Sequence, residues 1–292
     1  MKNKIIVPNE KQISKRILKN KFAKGIFFAA TLFGMVVLAT LIIRILTQGI
    51  GYLNIDFLTN YASRRPEDAG IKAAIMGTIW VMSITIPVSL ILGVSTSIYL
   101  EEYAPKNKFT RFIELNLANL AGVPSVVFGL LGLTMFVRFF QMGRSILAGG
   151  FTMALLILPV IVVASKEAIR SIPQEQYEAA YAMGATKWQI IRTVVIPAAT
   201  PGILTGAILS LSRGVGETAS LLMIGAMTFI AYVPDSVLDG FTVLPIQIFN
   251  WASRPQAEFQ SVAAAGSIVL LLILIIMNSL AILIRNKYSK RY

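Results

Sequence analysis

The chain has neither cysteine nor histidine among its 292 residues. Without cysteine there is no disulfide, no thiolate ligand and no thiol nucleophile, and the redox compartment leaves no mark on the composition. Without histidine, the commonest metal ligand and near-neutral acid–base group is missing. No Gly-Lys dipeptide occurs, so the phosphate-cradling loop of nucleotide hydrolases is absent too. Charge is scarce, with Asp, Glu, Lys and Arg making up 14% of the residues. These absences exclude most active-site chemistry: no enzyme activity, catalytic residue, metal or cofactor is expected.

What remains is largely apolar. Hydrophobic residues make up 55% of the chain, and the mean hydropathy is +0.70. A soluble domain needs a largely polar exterior, so the solvent for most of this chain is lipid. A net charge of +13 would suggest nucleic acid in a soluble protein. Here the cations fall in short blocks between apolar runs, and no nucleic-acid partner is expected.

Six runs are long enough to cross a bilayer as helix, which takes about 20 residues. They lie at 25–46, 73–100, 122–140, 147–165, 198–230 and 261–284. The first is too long for the apolar region of a cleaved leader and reads as a retained signal anchor. The second and fifth exceed one bilayer thickness, which implies tilt or extension into water. Pro87 and Pro159 fall inside spans and are expected to kink them. With both ends on the cytoplasmic side, 19 of the 27 Lys and Arg face inward and seven outward, leaving Arg213 inside a span. This bias sets the orientation N-in and C-in. The expected fold is therefore an all-α polytopic membrane protein with six transmembrane helices. Its parts are a basic cytoplasmic tail (1–24), the first span with an outer loop (25–70), a five-span core (71–284) and a second basic tail (285–292). Anionic headgroups of membrane lipid attract such tails. The stretch 109–120 is amphipathic and fits either a second cytoplasmic contact or an interfacial connector.

The inner loop at 166–197 is long and patterned. Pro173 suits the first turn of a helix, and Glu175 and Glu178 are expected in that first turn, on the favourable side of its dipole. Ala179, Ala180 and Ala182 favour helix, and Gly184 supplies a left-handed or close-packed end. Thr186 caps a second short helix carrying Trp188, Ile190, Ile191 and Val194, which Pro197 is expected to stop. The predicted helix–turn–helix fits either a connector sealing the base of the bundle or a docking element for a cytoplasmic partner.

In the fifth span, Ala198, Gly202, Gly206, Ser210, Gly214 and Thr218 recur every fourth residue, a low ridge on which a second helix can pack. Arg213 and Glu217, four apart, are expected to share a face beside it. A charge near the bilayer centre costs roughly 2.5–3.5 kcal/mol on insertion scales, so this pair needs a reason. One is mutual neutralisation; the other is a polar pathway. Arg presents a planar fork of donors suited to a tetrahedral oxyanion, and a carboxylate nearby accepts the proton that monohydrogen phosphate retains and sulfate lacks.

Two motifs carry a resemblance. Glu178-Ala179-Ala180, three residues, Gly184, nine residues, then Val194, Val195, Ile196 and Pro197 resembles the EAA loop of ABC-importer permeases, with Val194 for Ile and Ile196 for Leu. The run from Arg213 to Ser220 resembles the R-A-x-G-E-T-A-P stretch of Pst phosphate permeases, with Gly214 for Ala and Ser220 for Pro. Segments 56–59, 99–104 and 122–129 agree as well, and 244–253 looks like the PstA-type subunit. The resemblance covers roughly 20–290. It implies a type I ABC importer permease of MetI-like fold for inorganic phosphate, with molybdate, tungstate or sulfate as the alternative. It also implies a PstC-like sister permease, a PstB-like ATPase dimer that hydrolyses the ATP, and a PstS-like phosphate-binding receptor. Glu178, Ala179, Ala180, Gly184 and Pro197 are the implied ATPase-coupling residues, and Arg213 and Glu217 the implied pathway residues. Asp56 and Trp251 fit receptor contact; for Trp251 and Phe249, interfacial anchoring fits as well. Secondary transporters commonly carry internal inverted repeats, and none is evident here.

Overall fold

A computed structural model describes residues 10–288 of the chain. Among the described residues there is no strand. The helices, in chain order, are α1 (Glu10–Gly49), α2 (Ile55–Thr59), α3 (Lys72–Ile98), α4 (Lys108–Leu120), α5 (Ser125–Gly132) and α6 (Ile146–Arg170). They continue as α7 (Gln174–Ala182), α8 (Lys187–Ile190), α9 (Ile196–Val215), α10 (Ala219–Ile224), α11 (Leu244–Ala252) and α12 (Ala257–Tyr288). Wide π-helical turns extend three of them: Tyr99–Tyr103 after α3, Leu133–Phe139 after α5 and Ile191–Val195 between α8 and α9.

Five helical stretches are long and apolar enough to cross a membrane: Ser14–Tyr52, Lys72–Tyr103, Ile146–Arg170, Lys187–Val215 and Ala257–Lys287. The sixth is a broken unit, in which α4 meets Ser125–Phe139 at 106°. The run expected at 122–140 is therefore shorter than anticipated. Pro124 precedes the helix, and at 1.5 Å per residue its 15 residues reach about 22 Å, less than the hydrocarbon thickness of about 30 Å. The run expected at 198–230 is also broken. Its helix ends at Val215, followed by a bend at Gly216–Thr218, the short α10, and Gly225 in the left-handed region at φ +96°. Pro87 and Pro159 do lie within continuous helices. Residues 1–9 and 289–292, parts of the two basic tails, lie outside the described residues.

Helix α6 is the axis of the bundle. On one side α3 packs along it, and buried hydroxyls tie the two together: Thr85 Oγ1 lies 3.1 Å from the Gly150 carbonyl, and Ser97 Oγ donates to that of Val162 at 2.9 Å. On the other side α9 presents the ridge anticipated from its four-residue repeat. A Cβ on Gly206 would sit 2.2 Å from that of Ala164, and one on Gly202 2.6 Å from that of Ala168. In lipid, association rests on this kind of backbone approach and polar bonding rather than on a hydrophobic driving force. The innermost core gathers Val81, Ile146, Met153, Ile157, Ile224 and Phe241.

A second core lies between α2, α11 and the start of α12, where Phe57 meets Trp251 with ring centroids 5.9 Å apart. Trp251 is fully buried, so its ring neither anchors in a lipid interface nor reaches a receptor; Phe249 and Asp56 are exposed. Among the described residues, helix α1 packs chiefly along α12, where Gly49 lies against the Ala265 backbone. Its most apolar stretch buries no residue within the chain, as befits a surface made for lipid or another subunit.

Candidate functional site

The loop after α6 folds as a helical hairpin. Pro173 precedes α7, and Glu175 occupies its first turn. Glu178, expected in the same turn, falls one turn later because the helix begins at Gln174, and it is exposed. The helix gives way at Met183, and Gly184 turns the chain at φ +78° with open space around its Cα. A side chain there would be strained by the backbone, not by a neighbour. Thr186 and Gln189 form a capping box that starts α8, with the Thr186 amide donating to Gln189 Oε1 at 2.8 Å.

Pro197 does not end this helix. The π turn at Ile191–Val195 lets the Ile196 amide bond back to the Ile191 carbonyl, and Pro197 takes the opening turn of α9, where its missing N–H is tolerated. The element is thus continuous from Lys187 to Val215. Of the coupling residues anticipated from sequence, Glu178, Ala179 and Gly184 are exposed, while Ala180 packs inward beside Tyr177 and Val194. Tyr181, Met183 and Trp188 stand out into solvent. Ala179, Ala180 and Met183 also line a groove of 440 Å³ against Thr193, Val194 and Ala198.

Charges that sequence reading did not connect join the hairpin to the bundle. Lys166 is buried, its Nζ 2.6 Å from Glu114 Oε1 and 3.6 Å from Glu101 Oε1. Arg170 Nε lies 2.8 Å from the same Glu101 oxygen. Glu114 thereby fastens α4 to the bundle, while Phe109, Phe112 and Leu115 on its free side are exposed. Tyr177 donates to Glu102 Oε1 at 2.9 Å, and Lys187 Nζ donates to the Glu102 carbonyl. Burial and the Glu102 carboxylate hold the Tyr177 hydroxyl above its ordinary pKa, so it stays a donor. The only sequence signal for these partners was the acidic pair in the segment 99–104.

Arg213 and Glu217 are placed differently from the shared helical face expected of them. Because α9 ends at Val215, the i,i+4 geometry is lost, and they form no ion pair with each other. Glu217 Oε1 instead accepts from the amides of Ala219 and Ser220, at 3.1 and 3.2 Å, and caps α10. Arg213 lies in the last turn of α9, exposed, and enters none of the ion pairs formed among the described residues. Arg285, near the basic end of α12, reaches Thr205 of α9 at 3.4 Å. Eight residues further along α9, Arg213 stands about 12 Å along the helix axis from that contact. Beside it Ser212 Oγ lies 2.5 Å from Asn278 Oδ1 of α12. No cluster of potential metal ligands occurs among the described residues.

A family model described as binding-protein-dependent transport system inner membrane component matches residues 91–290. The chain is 32% identical over 277 residues to the probable ABC transporter permease protein YqgI of Bacillus subtilis (strain 168), covering 90% of this chain and 94% of that one. It is 32% identical over 272 residues to the phosphate transport system permease protein PstA of Yersinia pestis, covering 90% and 88%. For PstA 1 of Mycobacterium tuberculosis (strain ATCC 25618 / H37Rv) the identity is 30% over 286 residues, covering 95% and 91%. Among solved structures, a bacterial alginate ABC transporter superposes with TM-score 0.67 at 14% identity, over 91% of this chain and 94% of that one. The inward-facing MetNI methionine ABC transporter gives 0.60 at 19%, over 75% and 96%. Those two likenesses speak to the fold, which is that of MetI-like importer permeases. With a matched core, multiple apolar spans and relatives of nearly equal length, the chain belongs to the family of binding-protein-dependent transport system inner membrane components, and it is a multi-pass protein of the inner membrane.

Proposed function

We propose that this chain is the permease subunit of an ATP-driven inorganic phosphate importer, lining half of the translocation pathway and hydrolysing no ATP itself. The observation that carries the reading is the near full-length similarity to several proteins named as phosphate transport permeases. A PstC-like sister supplies the other half, a PstB-like ATPase dimer the energy, and a PstS-like receptor the phosphate.

The local chemistry supports it. A guanidinium in a membrane-spanning helix, uncovered by its own chain, is untenable against lipid. The face of α9 that bears Arg213 and Leu209, both exposed, therefore belongs against a sister subunit or a wet passage. There Arg213 offers fixed positive charge and a fork of donors to a passing oxyanion. Glu217 has Oε1 engaged by the α10 amides, which leaves Oε2 to accept the proton of monohydrogen phosphate. At the basic end, the exposed face around Glu178, Ala179 and Gly184 docks on an ATPase subunit. Closure of the ATPase dimer then moves α7 and α8, and through the unbroken helix α9 as well, alternating access to the site.

The test is ATP hydrolysis and anion uptake by the assembled transporter, driven by receptor loaded with phosphate, molybdate or sulfate. Stimulation by phosphate-loaded receptor alone is expected; equal or stronger stimulation by molybdate or sulfate overturns the assignment.

A further inference from the structure

The hairpin α7–α8 is covalently continuous with α6 and α9, so a push on it from below would be expected to enter the bundle through those two helices. Side chains on both arms of the hairpin, however, hold a third element. Tyr177 of α7 donates to the Glu102 carboxylate at 2.9 Å. Lys187, at the start of α8, donates to the Glu102 main-chain carbonyl and lies over the Tyr103 ring at 4.9 Å from its centroid. The two grips therefore come from opposite sides of the Gly184 turn and close on one pair of residues.

That pair sits in the π turn Tyr99–Tyr103, which ends the helix begun by α3. A helix end leaves carbonyls without partners and concentrates partial negative charge, and an ammonium satisfies both demands. The turn also sends consecutive carboxylates to different partners. Glu101 goes to Arg170 and Lys166 of α6, and Glu102 to the hairpin. Glu102 and Tyr177 are both half-buried, where a bond to a charged acceptor is stronger than in open water.

The arrangement has a mechanical consequence. Helices α3 and α9 flank α6 and pack closely along it. If the hairpin moved α9 alone, α9 would have to shear along its glycine ridge while α3 stayed behind. Holding α3 by the end makes the flanking helices travel with the hairpin.

We propose that Glu102 is a positioning residue of the coupling loop: gripped by Tyr177 and Lys187, it carries motion of α7–α8 into α3 as well as α9. This rests on the docking role assigned to the hairpin under the proposed function.

The experiment uses the complete transporter, with its sister, ATPase and receptor subunits, reconstituted in vesicles. Phosphate taken up per ATP hydrolysed is measured for each assembled variant. Glu102→Ala lowers this ratio roughly tenfold, the scale set by one hydrogen bond to a charged group. Tyr177→Phe lowers it in the same direction, and combining the two does no further harm, because both remove the same bond. Glu102→Gln, which keeps an acceptor, retains most of the ratio, whereas a general loss of packing would not be rescued this way. Lys187→Met weakens the second grip and also lowers the ratio. An unchanged ratio in Glu102→Ala, or effects of Glu102→Ala and Tyr177→Phe that multiply, overturns the proposal. Gly184→Val separates this result from the docking role. If Gly184→Val uncouples and Glu102→Ala does not, the grip is refuted and docking stands; if neither uncouples, both fall.

Discussion

At the basic end of the bundle, Lys166 and Arg170 lie within 4 Å of Glu101 and Glu114. Further along α9, Arg213 meets no carboxylate among the described residues, and the nearest acidic neighbour in sequence, Glu217, has turned away to cap α10. Both regions place charge in or beside an apolar bundle, yet one is closed and the other open. Burying a cation costs several kcal/mol unless a partner repays it. Where the chain supplies that partner, the charges tie helices α3, α4 and α6 into one body. Where it supplies none, the proposed function assigns the partner to a sister subunit or a passing anion. Under the proposed function, the difference would separate structural charges from transport charges.

Replacing the open charge should have the largest effect on transport and the smallest on assembly. Arg213→Gln is expected to lower phosphate uptake on the order of a hundredfold, the scale for removing a preorganised donor to an anion, while the yield of assembled complex stays at the wild-type level. Replacing a closed charge should do the reverse. Lys166→Met removes the buried cation between Glu101 and Glu114 and leaves only the more exposed Arg170 to hold them. It is expected to destabilise the protein by about 3–5 kcal/mol, read as a lower thermal transition of the purified complex in detergent. If Lys166→Met left stability intact while abolishing uptake, the contrast between the two regions would collapse.

Two smaller effects sharpen the hairpin's part. Gly184→Val forces a β-branched residue to φ +78° and is expected to cost about 1–2 kcal/mol in local backbone strain. The readout is ATP hydrolysis that continues without matching phosphate uptake. Thr186→Ala removes one side of the capping box, worth about 1 kcal/mol. It should raise amide exchange in α8 while leaving α7 unchanged.

The parts of this architecture legible in sequence are those that depend on local pattern. Apolar runs located the spans. Pro173, Gly184 and Thr186 marked the hairpin because each answers a backbone requirement within a turn or two, and the four-residue recurrence of small side chains marked the ridge that α9 lays on α6. Features that depend on how a helix ends were misread. Glu217 looked like a mid-helix charge because hydropathy does not register that a carboxylate after two glycines can cap a new helix. Pro197 looked like a terminator because the π turn that accommodates it has no composition of its own. Trp251 looked like a surface residue, since nothing nearby in sequence announces Phe57 as its neighbour. The contacts of Glu101, Glu102 and Glu114 were invisible for the same reason: each partner lies on a distant helix, and only packing brings them together. Among the proposed pathway residues, Arg213 was singled out by its cost in lipid, a purely local argument, and its lack of an ion-pair partner among the described residues emerged only from the fold.

Under the proposed function, Arg213 faces a water-filled passage in the assembled transporter. The chain's lack of cysteine permits a direct measurement: Arg213→Cys and, as a control on the exposed face of α1, Phe33→Cys, each treated with a charged, membrane-impermeant thiol reagent in the reconstituted complex. Rapid labelling is expected at position 213, at a rate that changes between nucleotide-free and ATP-bound states, and negligible labelling at position 33. Labelling at 213 as slow as at 33 in both states would contradict that placement.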